Sequence, residues 1–190
     1  MSGRRLQTNR LAARIVLKQL LGGYLDLDPA GLKLSYDSSG RPHVSGHRLA
    51  FNASHSGDVA LFAFSRSWRV GVDVEAIRPF GSEMEIARQY FSPGEIAHLE
   101  SLPEATQLRA FFECWTAKEA YVKGRGGGLS IPLDSFEMTQ PRSRDCVFFA
   151  EPHNAVLGWS ARLLDPCPGY TAAVAVESRQ WNLKCFQTNG

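Results

Sequence analysis

Apolar positions recur at helical spacing near the start of the chain. Leu11, Ile15 and Val16, with Leu20 and Leu21 further on, mark an amphipathic helix over residues 8–21. Arg10, Arg14 and Lys18 recur every four residues as one cationic stripe, and Gly22-Gly23 ends the helix. The period then shortens to two. Residues 32–36 alternate as a short strand, and Asp37 to Pro42 is turn chemistry. Residues 49–52 and 59–65 read as paired strands around a turn at Ser54-His55-Ser56-Gly57-Asp58. The second is apolar on both faces, which predicts a central strand. Over 69–75, Val70, Val72 and Val74 share one face, and Gly71, Asp73 and Glu75 share the other.

Helical signals follow Arg78-Pro79. Ser82 with Glu85, and Ser92 with Glu95 behind Pro93, both match capping boxes. A longer helix is predicted from about Pro103 to Lys123, with Leu108, Phe111, Phe112 and Trp115 facing the core. Strands are predicted at 136–140, 146–150, 159–164, 170–176 and 183–187. Strands and helices in blocks define an α+β chain, with an N-terminal lobe over 1–78 and a C-terminal lobe over 79–190.

Composition narrows the class. The chain has 190 residues, 44% hydrophobic and 21% charged, which is a globular profile. A net charge of +2 gives no generic attraction to nucleic acid. Cys114, Cys146, Cys167 and Cys185 form no C-x-x-C pair, so free thiols in a reducing compartment are expected. Without a signal core or a bilayer-length apolar run, a soluble cytoplasmic protein is expected.

Two segments carry chemistry. In Val70-Gly71-Val72-Asp73-Val74-Glu75 the two acids point the same way, about 7 Å apart along a strand, close enough to converge on one hard cation. Gly71 is expected to leave room in front of them. D-x-E alone is more often a solvated strand face. Glu119 and Lys123 lie one helical turn apart, which alone could be a weak surface ion pair. Gly124, Gly126, Gly127 and Gly128 then follow, where backbone can approach a ligand closely. Ser54 and His55 offer donors to a phosphate oxygen, although a lone turn histidine is usually an ordinary polar residue. Arg41 is a cation fixed before Pro42, whereas Arg10 and Lys18 read as a solvated face. Walker, dinucleotide and zinc signatures are missing.

Three ordered motifs then match a family. Phe51-Asn52-Ala53-Ser54-His55-Ser56-Gly57, Val70 to Glu75, and Phe112 through Lys123 with Gly124 to Leu133 resemble the 4′-phosphopantetheinyl transferases of the Sfp type. Gly40-Arg41-Pro42, Phe91 to Glu95 and Gly169 to Ala173 add to the likeness, which runs from about Arg10 onward. The resemblance implies transfer of phosphopantetheine from coenzyme A to a serine of an acyl, aryl or peptidyl carrier protein in fatty acid, polyketide or nonribosomal peptide synthesis. Adenosine 3′,5′-bisphosphate is released and magnesium is required.

The resemblance also implies roles for single residues. Asp73, Glu75 and Glu119 hold the metal, and Lys123 and Glu119 are the catalytic pair. Ser54 and His55 lie near the coenzyme phosphates, and Arg41 and Arg14 near the 3′-phosphoadenosine end. The implied fold is two similar pseudo-twofold lobes, each an antiparallel sheet with packed helices, around a cleft. The expected state is a monomer without nucleic-acid or membrane partners. Such proteins usually carry a strand before the first helix, which here starts almost at Met1, so the first sheet's edge is expected to be open to association. A non-catalytic coenzyme A or carrier-binding module and a magnesium-dependent phosphohydrolase are the rivals.

Overall fold

Helix α1 (Ser2–Leu25) opens the fold and lies over two hairpins, β1 (Leu34–Tyr36) with β2 (Pro42–Val44) and β3 (Ala50–Ser56) with β4 (Val59–Ser65). Strand β5 (Val70–Ala76) follows, then α2 (Glu83–Tyr90), α3 (Pro93–Ser101) and α4 (Glu104–Arg125). Strands β6 (Glu137–Met138), β7 (Val147–Ala150), β8 (Ser160–Leu164) and β9 (Tyr170–Val176) complete an antiparallel sheet in the order β5-β9-β8-β7-β6. This computed structural model describes residues 2–38, 40–138, 147–150 and 158–187. Positions 139, 140 and 146 of the expected strands lie outside them, as does Cys146.

The architecture is α+β with antiparallel sheets, as the pattern implies. Beneath α1, Leu17 and Leu21 pack with Leu32, Val44, Leu49 and Phe51. That core underlies only the second half of the helix, so Leu11 and Ile15 of the expected apolar side stay 61% and 52% exposed. The main core joins α2–α4 to the five-stranded sheet through Phe91, Phe111, Tyr121, Phe136, Phe149 and Trp159. A third cluster, Val70, Val72, Val174 and Val176, is covered by Leu61, Ala63 and Trp181.

Several expectations are corrected. Gly22-Gly23 does not end the first helix, which runs on to Leu25 and is closed by Asp26 in the left-handed conformation, φ 57°, with the Leu27 amide on Gly22 O at 3.0 Å. Strand β4 is not central in a sheet, since among the described residues it pairs with β3 alone. It is apolar on both faces because it is the middle of a stack: Phe62 and Phe64 meet the α1 core, and Leu61 and Ala63 meet the β5 cluster. The turn after β3 is shorter than expected, Gly57-Asp58 only, so Ser54, His55 and Ser56 are strand residues. Gly57 takes the left-handed φ of 57° that this tight reversal uses. The Ser92–Glu95 capping box forms. Ser82 makes no side-chain cap, and Glu83 Oε1 instead accepts from the Phe80 amide at 2.7 Å.

No strand forms over 183–187. Strand β9 is already flanked by β5 and β8, and the outer side of β5 is covered by β3, so the tail meets no free edge there. Its anchor is Trp181, whose indole N–H donates to Ser160 Oγ at 2.8 Å. Strand β5 hydrogen-bonds to β9 and packs its outer side against β3. Among the described residues no helix is long and apolar enough to cross a membrane.

Candidate active site

Helix α4 crosses β5 at very short range, and Gly71 and Gly124 allow it. A Cβ at Gly71 would fall inside the van der Waals shell of Ala120 O and Gly124 N, and one at Gly124 would strike the Trp159 ring. The space at Gly71 is therefore filled by helix backbone and is not left open before the acids. The glycines after Lys123 are similarly structural. Gly126 caps α4 in the left-handed conformation, φ 80°, with its N–H on Val122 O at 3.0 Å, and Gly127 packs on Ile131.

This contact sets the acid-bearing face of β5 against one side of α4. Asp73 is 3% exposed. Its Oδ1 accepts from Lys123 Nζ at 2.6 Å and from Ser54 Oγ at 2.8 Å, and Lys123 also donates to Ser54 Oγ at 3.0 Å. The other oxygen, Asp73 Oδ2, is buried with no hydrogen-bond partner. Glu75 Oε2 accepts from Ser56 Oγ at 2.8 Å. Lys123 thus bonds from α4 to Asp73 on β5 rather than forming the i,i+4 surface pair that spacing alone would suggest.

Electrostatics tie Glu119 to the same place. Burial pushes all three carboxyls above the usual carboxylate range. For Asp73 the Lys123 charge and the bonds from Lys123 and Ser54 pull back. For Glu75 the Ser56 bond pulls back while the Asp73 charge adds to the rise. For Glu119 the charge of Asp73 adds, Lys123 pulls back, and Glu75 adds again. Glu119 therefore shares the field of the other two acids.

The donor set fits a hard divalent cation. Three carboxylates stand against one ammonium, and one buried oxygen lacks a partner. Among the described residues no three acidic, imidazole or thiol groups converge on a common point, and Asp73 Oδ1 is bonded to Lys123.

The remaining expected site residues lie around this centre. His55 is exposed on the opposite side of β3 from Ser54, as strand alternation dictates, so the two do not address one oxygen from the same face. Arg41 Nη2 donates to Lys123 O at 2.8 Å and to Gly124 O, so it caps the last carbonyls of α4 from the β1–β2 turn. Burial lowers its pKa, helped by the charge of Arg69. Arg14 is exposed on α1.

Three features escaped the sequence reading. Asn52 and Ser56 face β5 together with Ser54, a period-two polar row that was in plain view on β3. Lys118, beside Glu119, is fully buried on Glu95, with Nζ at 2.7 and 2.6 Å from its two oxygens and 2.8 Å from Phe136 O. Arg69 forks onto Glu177 at 2.7 and 2.5 Å.

The α+β fold thus gathers three acids and one lysine where a strand meets a long helix. Residues 69–175 match the family model of the 4′-phosphopantetheinyl transferase superfamily. The chain is 35% identical to the 4′-phosphopantetheinyl transferase HetI of Nostoc sp. (strain PCC 7120), over 91% of this chain and 72% of that one. It is 33% identical to the transferase Sfp of Bacillus subtilis (strain 168), over 67% of this chain and 56% of that one. To AcpT of Salmonella typhi it is 40% identical, over 62% of this chain and 58% of that one. The chain thus spans less than three-fifths of the length of Sfp and AcpT. The holo-[acyl-carrier-protein] synthase of Thermotoga maritima aligns at a TM-score of 0.47 and 16% identity, over 58% of this chain and 63% of that one. The chain belongs to the 4′-phosphopantetheinyl transferase superfamily.

Proposed function

We propose that this chain moves 4′-phosphopantetheine from coenzyme A to a serine of an apo acyl, aryl or peptidyl carrier protein, with adenosine 3′,5′-bisphosphate as the other product. It is read as a cytoplasmic monomer of the Sfp type that uses magnesium held by Asp73, Glu75 and Glu119. The observation that carries the proposal is the buried, unpartnered Asp73 Oδ2 in a three-carboxylate field, within a chain whose residues 69–175 match the family.

The carrier serine oxygen forms a bond to the β-phosphorus of coenzyme A as the pyrophosphate P–O bond breaks, and the nucleotide leaves with that electron pair. Bound magnesium would neutralise charge on the pyrophosphate oxygens. Lys123 supplies a positive charge that can turn from Asp73 to a phosphoryl oxygen, since its side chain is 32% exposed and not locked in the core. Glu119 takes the serine proton directly or through a water. In this reading Ser54, beside Lys123, faces the coenzyme phosphates, while His55, Arg41 and Arg14 are assigned to the phosphates and the adenosine end by the likeness to the family alone.

Mass spectrometry of an apo carrier incubated with coenzyme A, magnesium and this protein tests the reading. The carrier gains the phosphopantetheine mass. Coenzyme A breakdown without carrier modification would instead identify a phosphohydrolase, and no change across several carrier classes a binding module. Asp73→Ala abolishes the gain while circular dichroism stays native, because the lysine it releases can reach solvent. Near-normal transfer by Asp73→Ala would overturn the ion assignment.

A further inference from the structure

Strand β3 turns three polar side chains towards β5, and each meets a different group. Asn52 Oδ1 accepts from the Val72 amide at 3.0 Å, and Ser54 Oγ donates to Asp73 Oδ1 at 2.8 Å. Ser56 Oγ donates to Glu75 Oε2 at 2.8 Å and accepts from the Ala76 amide at 3.1 Å. The direction of the Ser56 bonds is fixed by chemistry. An amide N–H can only donate, so the hydroxyl accepts there and its single proton is committed to the carboxylate.

A carboxylate oxygen held in this way fixes the plane and rotation of its group. Ligand carboxylates are commonly oriented by just such outer hydrogen bonds. Ser54 does the same for Asp73, but there Lys123 holds the same oxygen, so its share cannot be separated. Ser56 has no such rival at Glu75 Oε2 among the described residues.

We infer that Ser56 is a positioning residue: by anchoring Glu75 Oε2 to the end of β3, it presents the other oxygen of Glu75 to the cation shared with Asp73 and Glu119. The inference rests on the proposed ion-binding role of those acids. A merely structural Ser56 would tie β3 to β5 and cap the Ala76 amide, with no influence on ion affinity.

Binding of Mn2+ in the presence of saturating coenzyme A, followed by loss of the free-ion paramagnetic resonance signal and corrected for coenzyme alone, distinguishes the two. Ser56→Ala weakens ion binding about tenfold, within the range of about 10–100-fold typical of outer-shell partners. It raises the magnesium concentration for half-maximal transfer by a similar factor and leaves the KM for carrier unchanged. Ser56→Thr, which keeps the hydroxyl on a β-compatible residue, restores binding. Should Ser56→Ala lose its native circular dichroism, Ser56→Cys, similar in size but a weak donor, is read in its place. Wild-type ion affinity in the variant lacking the hydroxyl, or failure of threonine to rescue, overturns the role of Ser56. Asp73→Ala is the control. If it loses the ion while Ser56→Ala keeps it, only the serine's role falls; if it also binds like wild type, the ion site itself falls.

Discussion

Glu119 shows how a single residue can be ready for chemistry at the expense of stability. Burial raises its carboxyl, and the charge of Asp73 adds to the rise. A carboxyl raised in the folded state favours folding most below the ordinary carboxylate pKa. That contribution is lost as pH climbs from the ordinary value through the raised one. Above that window, metal-free protein holds a buried charge that unfolding would return to water. Glu119→Gln therefore has a melting temperature equal to wild type in acid and higher by a few degrees near neutral pH. A chain of this length moves about 2–4 °C per kcal/mol. Scanning calorimetry of both proteins across pH, without divalent ions, checks this. Turnover of Glu119→Gln is lost while coenzyme A still binds, and unchanged turnover would exclude its role as proton acceptor.

At the scale of elements, α4 is fixed by features that periodicity only half disclosed. Its existence and span followed from apolar spacing, and the capping box of α3 followed from Ser92 and Glu95. What spacing did not disclose is the second task of Glu95. It accepts from the Ser92 and Met138 amides at 2.9 and 2.7 Å while meeting Lys118 in the core, so it ties α3, α4 and β6 together. A lysine between Ala117 and Glu119 carries no local sign of being buried, because its partner lies 23 residues away. Lys118→Ala leaves Glu95 buried without its counter-charge, and a loss of about 3–5 kcal/mol is expected. Urea titration with unchanged m-value reads that loss directly. Glycines were legible as special positions, but their purpose was not. Gly71 and Gly124 suggested space for a ligand, and they admit one element to another. The acids on β5 were readable because a two-residue period puts them on one face. The hydroxyls that hold them belong to a neighbouring strand whose register no local pattern states.

At the scale of the whole molecule, the N-terminal hairpins meet the rest through an apolar cluster, with Leu61 and Ala63 on Val70 and Val72, and through polar ties. Arg41 reaches from the β1–β2 turn to the final carbonyls of α4, and β3 reaches β5 through Asn52, Ser54 and Ser56. Arg41→Ala removes a charged donor from a helix end and costs about 1.5–3 kcal/mol, again measurable by urea titration. Among the described residues β5 is a border strand: its one ladder is with β9, and β3 bonds to it through side chains. Parting β3 from β5 would break no backbone ladder, yet it would take one hydroxyl from Asp73 and one from Glu75 at the same stroke.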